Sequence, residues 1–160
     1  NHFAPFLLTL KLLPALKLAN AARIINVSSM THSGATLDLN DLSFERAWGS
    51  YDSYAASKLA NILFTQQLAT DLKHTSVTAN SLHPGVIGTK LLRAGFGGGG
   101  ASVVDGARTS VFLATSPQVA NLSGKYFVNC RQEKSSKKST DPELAIALWG
   151  ASLLAVQSYL

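Results

Sequence analysis

Apolar residues near the start of the chain (Phe6, Leu7, Leu10, Leu13, Ala15, Leu18) recur at helical spacing, so a helix is expected over 3–18, bent or interrupted at Pro14. The stretch RIINVSS (23–29) is short and β-branched and reads as a strand buried on both faces. Polar THSGATLDLNDLSFERAWGS follows, and a connection of that length is expected to be functional or to carry short elements of its own. Residues 53–72 are helical in pattern, with Ser53 as N-cap and Leu59, Ile62, Leu63 and Leu68 along one face. SVTANSLHPG (76–85) returns to strand and stops at Pro84-Gly85. TKLLRAGFGGGGASVVDGARTSVFLAT suggests a short helix, a mobile glycine loop and a second helix from about Val103 to Leu113. GKYFVNC (124–130) reads as a third short strand, and DPELAIALWGASLLAVQSYL as a closing helix with Asp141 as N-cap and Pro142 at the first helical position.

Helices and short apolar strands alternate, which argues for βαβ units and a parallel sheet covered on both faces. The opening helix would then be a crossover whose own strand is missing, so the chain reads as beginning in mid-domain. At 160 residues and 46% hydrophobic, it is expected to form one partial domain over 1–160.

Charge narrows this picture little. Fourteen Lys+Arg against nine Asp+Glu leave a formal +5, which would suit an anionic small molecule, nucleic acid or a membrane surface alike. Five basic residues fall between Lys125 and Lys138 in a polar run with few aromatics, which reads as a solvated surface loop rather than a nucleic-acid patch. The single cysteine, Cys130, excludes an intrachain disulfide and a Cys-pair metal site and fits a reducing compartment. His2, His32, His74 and His83 show no ligand spacing, so no metal is expected. FAPFLLTLKLLPALKL is interrupted by Lys11, Pro14 and Lys17, short of the ~20 apolar residues of a membrane span.

The chemistry concentrates in YDSYAASKLANILF. Tyr54 and Lys58 are i and i+4 on a helix and project to the same side. A free phenol ionises near ~10, and an ammonium within a few ångströms stabilises the phenolate, which suits a tyrosine to acid–base work. Tyr51 has Ala55 in the equivalent place and is expected in the loop rim near substrate or solvent. Tyr-x-x-x-Lys alone is also a common surface pair. A serine hydrolase built on Ser29 and His32, with Asp38 or Asp41 as orienting group, lacks a G-x-S-x-G elbow.

Read together, NHFAPFLLT, RIINVSS, YAASKLANILFTQQLA, NSLHPGVIGTKL and SGKYFVNC…DPELAIALW occur in an order that resembles the short-chain dehydrogenase/reductase family, in its retinol-dehydrogenase-like branch. The resemblance implies the C-terminal portion of a Rossmann-like doubly wound parallel sheet, with the N-terminal βαβ units outside this chain. It implies an NAD(P)-dependent oxidoreductase that interconverts a small apolar alcohol and a carbonyl. Its catalytic tetrad falls on Asn1, Ser29, Tyr54 and Lys58, with Ser28 structural. Tyr54 would exchange the proton, Ser29 hold the substrate oxygen, Lys58 act on the tyrosine and the nicotinamide ribose, and Asn1 help hold a proton-relaying water. Cofactor binding would fall on Tyr54, Lys58, Pro84, Gly85, Val86 and Thr89. NAD or NADP would serve, NADP slightly favoured by the branch.

The family's glycine-rich fingerprint is not among these residues. Gly95 and Gly97 to Gly100 follow no strand and read as a flexible substrate loop. Ala4-Pro5 stands where the family has a small glycine and its neighbour. Homodimerisation through the helices flanking the serine strand is common in the family. A cytoplasmic setting is expected, with an organellar or membrane-peripheral one open. The alternative is an incomplete or degenerate member that acts as an interaction module without cofactor, its sheet edge at RIINVSS needing cover.

Overall fold

The computed structural model describes residues 1–46, 48–95 and 97–160. Ala22–Val27 (β1) and Val77–His83 (β2) run parallel, Ala22 opposite Val77 and Val27 opposite Leu82. Tyr126–Val128 (β3) lies parallel on the other side of β2, with Ser81 opposite Tyr126. Arg131–Glu133 (β4) turns back antiparallel to β3, giving a sheet of order β1-β2-β3-β4.

Among the described residues the α-helices are Phe3–Leu18 (α1), Ser50–Asp71 (α2), Lys90–Gly95 (α3), Val103–Thr115 (α4) and Pro142–Val156 (α5), of which α3 buries no residue and the others pack around the sheet. Successive side chains of a strand point to opposite faces, and the sheet uses both. On one face Ile24, Val77 and Ala79 pack with Phe6 of α1, Phe64 and Leu68 of α2 and Val156 of α5. On the other, Ile25, Leu82 and Phe127 pack with Leu113 of α4. The α/β class with two covered faces is as expected. Among the described residues no helix is long and apolar enough to cross a membrane.

Several local expectations change. The helix α1 runs through Pro14 without interruption, although proline removes one i→i−4 bond. Gly49, not Ser53, is the N-cap of α2, and the Ser53 N–H already bonds to the Gly49 carbonyl at 2.8 Å. Instead of one apolar face, α2 buries Ala55, Ala56, Leu59, Ala60, Leu63 and Phe64, because α5 packs on the side turned from the sheet. Tyr51 accordingly lies in the first turn of α2, half-exposed at 52%, rather than in a loop. Within this chain β1 is the outer strand of the sheet, and Ile24 and Ile25 pack against helices on its two opposite faces.

The long connection after β1 is anchored by a short 3₁₀ turn, Met30–Gly34, and by Leu37, Leu39 and Leu42, which pack onto the cluster between α2 and α5. The basic stretch is exposed, but it is a hairpin rather than a plain loop. Asn129 and Cys130, both with positive φ (49° and 60°), form the two-residue turn between β3 and β4. That geometry matches the right-handed twist of the flanking strands. Lys138 donates from Nζ to the Ala35 carbonyl at 2.8 Å.

Candidate active site

The sheet delivers two strand ends, Val27 and His83, side by side at its carboxyl edge, where open α/β sheets bind ligands. Beyond β1 the two serines divide. The Ser28 N–H bonds to the Leu82 carbonyl at 2.7 Å, and its hydroxyl donates to the Lys58 carbonyl at 2.7 Å, fastening α2 to the strand ends. Ser29 caps the 3₁₀ turn, its Oγ accepting from the Thr31 N–H at 3.3 Å.

Opposite them, α2 presents Tyr54 and Lys58. The Lys58 ammonium lies 5.4 Å from the Tyr54 ring centroid and donates to the Val27 carbonyl at 3.2 Å. Burial holds the Lys58 pKa below the ordinary lysine value, since the charged form is the one that loses hydration. Asn1 reaches the same place from the start of α1, its carbonyl accepting from Asn61 Nδ2 at 3.3 Å. Pro5 does not disturb this. It lies in the first helical turn, where its missing N–H has no intrahelical partner to lose, and the Phe6 N–H bonds to the His2 carbonyl at 3.0 Å.

After β2, Gly85 takes φ +98°, a conformation side chains rarely adopt, and turns the chain across the strand ends. Thr89 starts α3, its Oγ1 accepting from the Leu92 N–H at 3.3 Å. The glycine run is tied here rather than loose throughout. Ala101 N–H donates to the Val86 carbonyl, and Gly88 N–H to the Ala101 carbonyl, both at 2.9 Å. A Cβ on Gly100 would come within 2.7 Å of Val86 O. Gly106 leaves room in the same way for Ile87, whose Cγ1 would be 2.8 Å from an added Cβ.

All eight positions singled out from the sequence (Asn1, Ser29, Tyr54, Lys58, Pro84, Gly85, Val86, Thr89) line one cavity of about 610 Å³. Tyr51 does not. The remaining wall is largely apolar, with Val27, Met30, Ile87, Leu91 and Leu92. A larger neighbouring cavity of about 840 Å³, beside the β3–β4 hairpin, contains none of the eight.

Residues 1–96 match the family described as short chain dehydrogenase. The chain belongs to the short chain dehydrogenase family. It is 39% identical to human retinol dehydrogenase 14, covering 98% of this chain and 50% of that protein. It is 37% identical to human retinol dehydrogenase 12, covering 95% and 51%. The chain thus spans about half the length of the curated relatives it matches. Among solved structures, an uncharacterized protein from Mycobacterium paratuberculosis superposes with TM-score 0.78 at 28% identity, covering 98% of this chain and 57% of that one. The landomycin C-6 ketoreductase LanV, solved with NADP and rabelomycin bound, gives TM-score 0.54 at 25% identity, covering 80% and 47%.

The sheet of this short chain dehydrogenase is therefore the C-terminal portion of a Rossmann-like fold, as the motif order implied. Sequence reading missed two polar cavity residues, Thr31 and His83. Thr31 Oγ1 and His83 Nδ1 are buried and have no protein partner among the described residues. Burial, and then the nearby His32, keep the His83 pKa below the usual imidazole value. The HPG triplet contained the signal, a histidine one residue from the loop, but histidine alone does not announce which way it faces.

His32 is not a catalytic base in this short chain dehydrogenase. Its Nε2 accepts the Ser136 N–H at 3.1 Å, so the proton must lie on Nδ1, which donates to the Ser29 carbonyl at 2.7 Å. Both nitrogens are committed to backbone. His32 is therefore not available as a base for the Ser29 hydroxyl, which removes the hydrolase reading built on that pair.

Proposed function

We propose that this chain carries the proton-transfer half of an NAD(P)-dependent oxidoreductase that interconverts an apolar alcohol and its carbonyl. The observation that carries the reading is the convergence of Asn1, Ser29, Tyr54 and Lys58, from three separate segments, on one largely apolar cavity. The degenerate-module alternative offers no reason for that convergence.

The residues present fit part of a nicotinamide dinucleotide. Lys58 spends one N–H on the Val27 carbonyl and has two more for ribose hydroxyls. The Val86 carbonyl accepts from the Ala101 N–H at 2.9 Å, which ties this loop in place where Gly85, with φ +98°, turns it across the strand ends. Thr89 completes this set. The dinucleotide, when bound, supplies or takes the hydride.

The Tyr54 hydroxyl gives a proton to the carbonyl oxygen during reduction and takes it back during oxidation. The Lys58 charge stabilises the phenolate formed in between. The Ser29 hydroxyl donates to the oxygen as negative charge develops there. Val27, Met30, Ile87, Leu91 and Leu92 exclude water and select an apolar substrate. NADP is the first cofactor to test, given the ligand bound in LanV.

The test is turnover of the full-length protein with NADPH and NADH against a series of apolar aldehydes. Aldehyde-dependent cofactor oxidation is expected, and none with either cofactor across the series would overturn the reading. Titration of the 160-residue chain with NADPH measures how much affinity this half retains.

A further inference from the structure

Along α2, Tyr54, Lys58, Asn61 and Thr65 follow one another at i, i+4, i+7 and i+11, a polar stripe on a helix that is otherwise apolar where buried. Asn61 and Thr65 are buried at 5% and 0% exposure. A buried amide is costly unless its donors and acceptor are used. Asn61 uses all of them. Its Nδ2 donates to the Asn1 carbonyl at 3.3 Å and to the Val27 carbonyl at 3.4 Å. Its Oδ1 faces His2 Nδ1 at 3.3 Å.

Two carbonyls on one side allow only the amino group there, so Oδ1 must point to His2 and His2 must carry its proton on Nδ1. His2 Nε2 is then an acceptor, filled by the hydroxyl of Ser152 on α5 at 2.8 Å. Ser152 is fully buried and His2 nearly so, at 7%. The polarity of the whole chain Ser152–His2–Asn61 is thereby set in one direction. It ends on the two carbonyls at the active site, and one of these, Val27, is also the acceptor of the Lys58 ammonium.

We propose that Asn61 is a positioning residue that shares the Val27 carbonyl with Lys58 and holds the Asn1 carbonyl beside it, its own orientation fixed by His2 and Ser152. The inference rests on the function proposed above. Without Asn61, the ammonium is the one side-chain donor left to the Val27 carbonyl among the described residues and is drawn in, and the Asn1 carbonyl loses its tie to α2.

The experiment uses the full-length protein with Asn61→Leu, Asn61→Asp and the remote Ser152→Ala. The readouts are kcat and KM over pH, thermal melting, and NMR titration of the Lys58 side chain, assigned by loss of its signal in Lys58→Arg. Asn61→Leu is expected to lower kcat about 10-fold or more with substrate KM little changed. Its Lys58 titration should move upward by about 0.5 unit or more. Asn61→Asp should move that titration further upward, because a carboxylate replaces the amino group. Ser152→Ala should shift kcat in the same direction by less. Should Asn61→Leu not fold, Asn61→Asp and Ser152→Ala decide. Melting that drops while kcat, its pH limbs and the Lys58 titration stay at wild type would overturn the inference. A wild-type protein that never turns over, with the Lys58 titration still moving as described, would sink the proposed function and leave the positioning role standing.

Discussion

Lys58 places its ammonium 5.4 Å from the ring centroid of Tyr54 and 3.2 Å from the Val27 carbonyl, so a charge carried on α2 is held at the end of β1. Tyr51, one turn earlier, is half-exposed and outside the cavity. Replacing Tyr54 by Phe in the full-length protein should lower kcat by about 10²-fold or more, the usual scale for losing a positioned acid. Tyr51→Phe should leave kcat within about 2-fold, since surface changes rarely perturb more. Steady-state aldehyde reduction on both variants checks the pair, and equal losses would contradict the assignment.

Because burial lowers the Lys58 pKa, its charge is lost at a lower pH than an ordinary lysine's. Activity that depends on that charge should therefore decline on the alkaline side before the pH at which free lysine titrates. Lys58→Met should remove this limb together with most of kcat. A pH–rate profile whose alkaline limb is identical in wild type and Lys58→Met would refute the dependence.

His2 is buried and its pKa falls from 6.5 to about 4, chiefly because burial penalises the imidazolium. Above pH 6.5 neither folded nor unfolded chain binds a proton there, and the stability contribution is complete. As pH falls from 6.5 toward 4 the unfolded chain takes up the proton first, and about 3 kcal/mol of stability should drain away. Burial lowers His32 and His83 in the same direction and adds to the slope. Urea melts of wild type and His2→Gln from pH 7.5 down to pH 4 measure this, and parallel curves would rule His2 out as a source.

Cys130 occupies the second position of the β3–β4 turn with φ 60°, where a side chain is disfavoured and glycine is not. Its N–H donates to Thr109 Oγ1 at 3.2 Å, a bond that glycine keeps. Cys130→Gly should raise stability by about 1 kcal/mol, visible as a higher melting temperature. An unchanged or lower melting temperature would show that the thiol's contact with Thr109, at 3.9 Å, outweighs the backbone relief.

Much of this protein is written locally along the chain. Helical spacing marked α1, α4 and α5, including the Asp141 cap, whose carboxylate accepts from the Glu143 and Leu144 N–H groups. Short β-branched runs marked β1 and β2, and the i,i+4 rule alone set Tyr54 and Lys58 on one side of a helix. Motif order then grouped Asn1, Ser29 and the HPG loop with them, and the fold does bring those residues to one cavity.

Periodicity could not reveal relationships that depend on which elements cross. Arg131–Glu133 is exposed along its whole length and carries no alternation, so its pairing with β3 depends on the Asn129–Cys130 turn rather than on a pattern. The apolar residues all round α2 hid its start at Ser50 behind a plausible cap at Ser53, and only α5 packing on its outer side explains them. The partners of Asn61 lie 59 positions away at His2 and 34 at Val27, and those of His2 lie 150 away at Ser152. Sequence determined the residue types and the local faces. Tertiary structure decided which donor meets which carbonyl, because a hydrogen bond is fixed by distances of about 3 Å that no local repeat encodes.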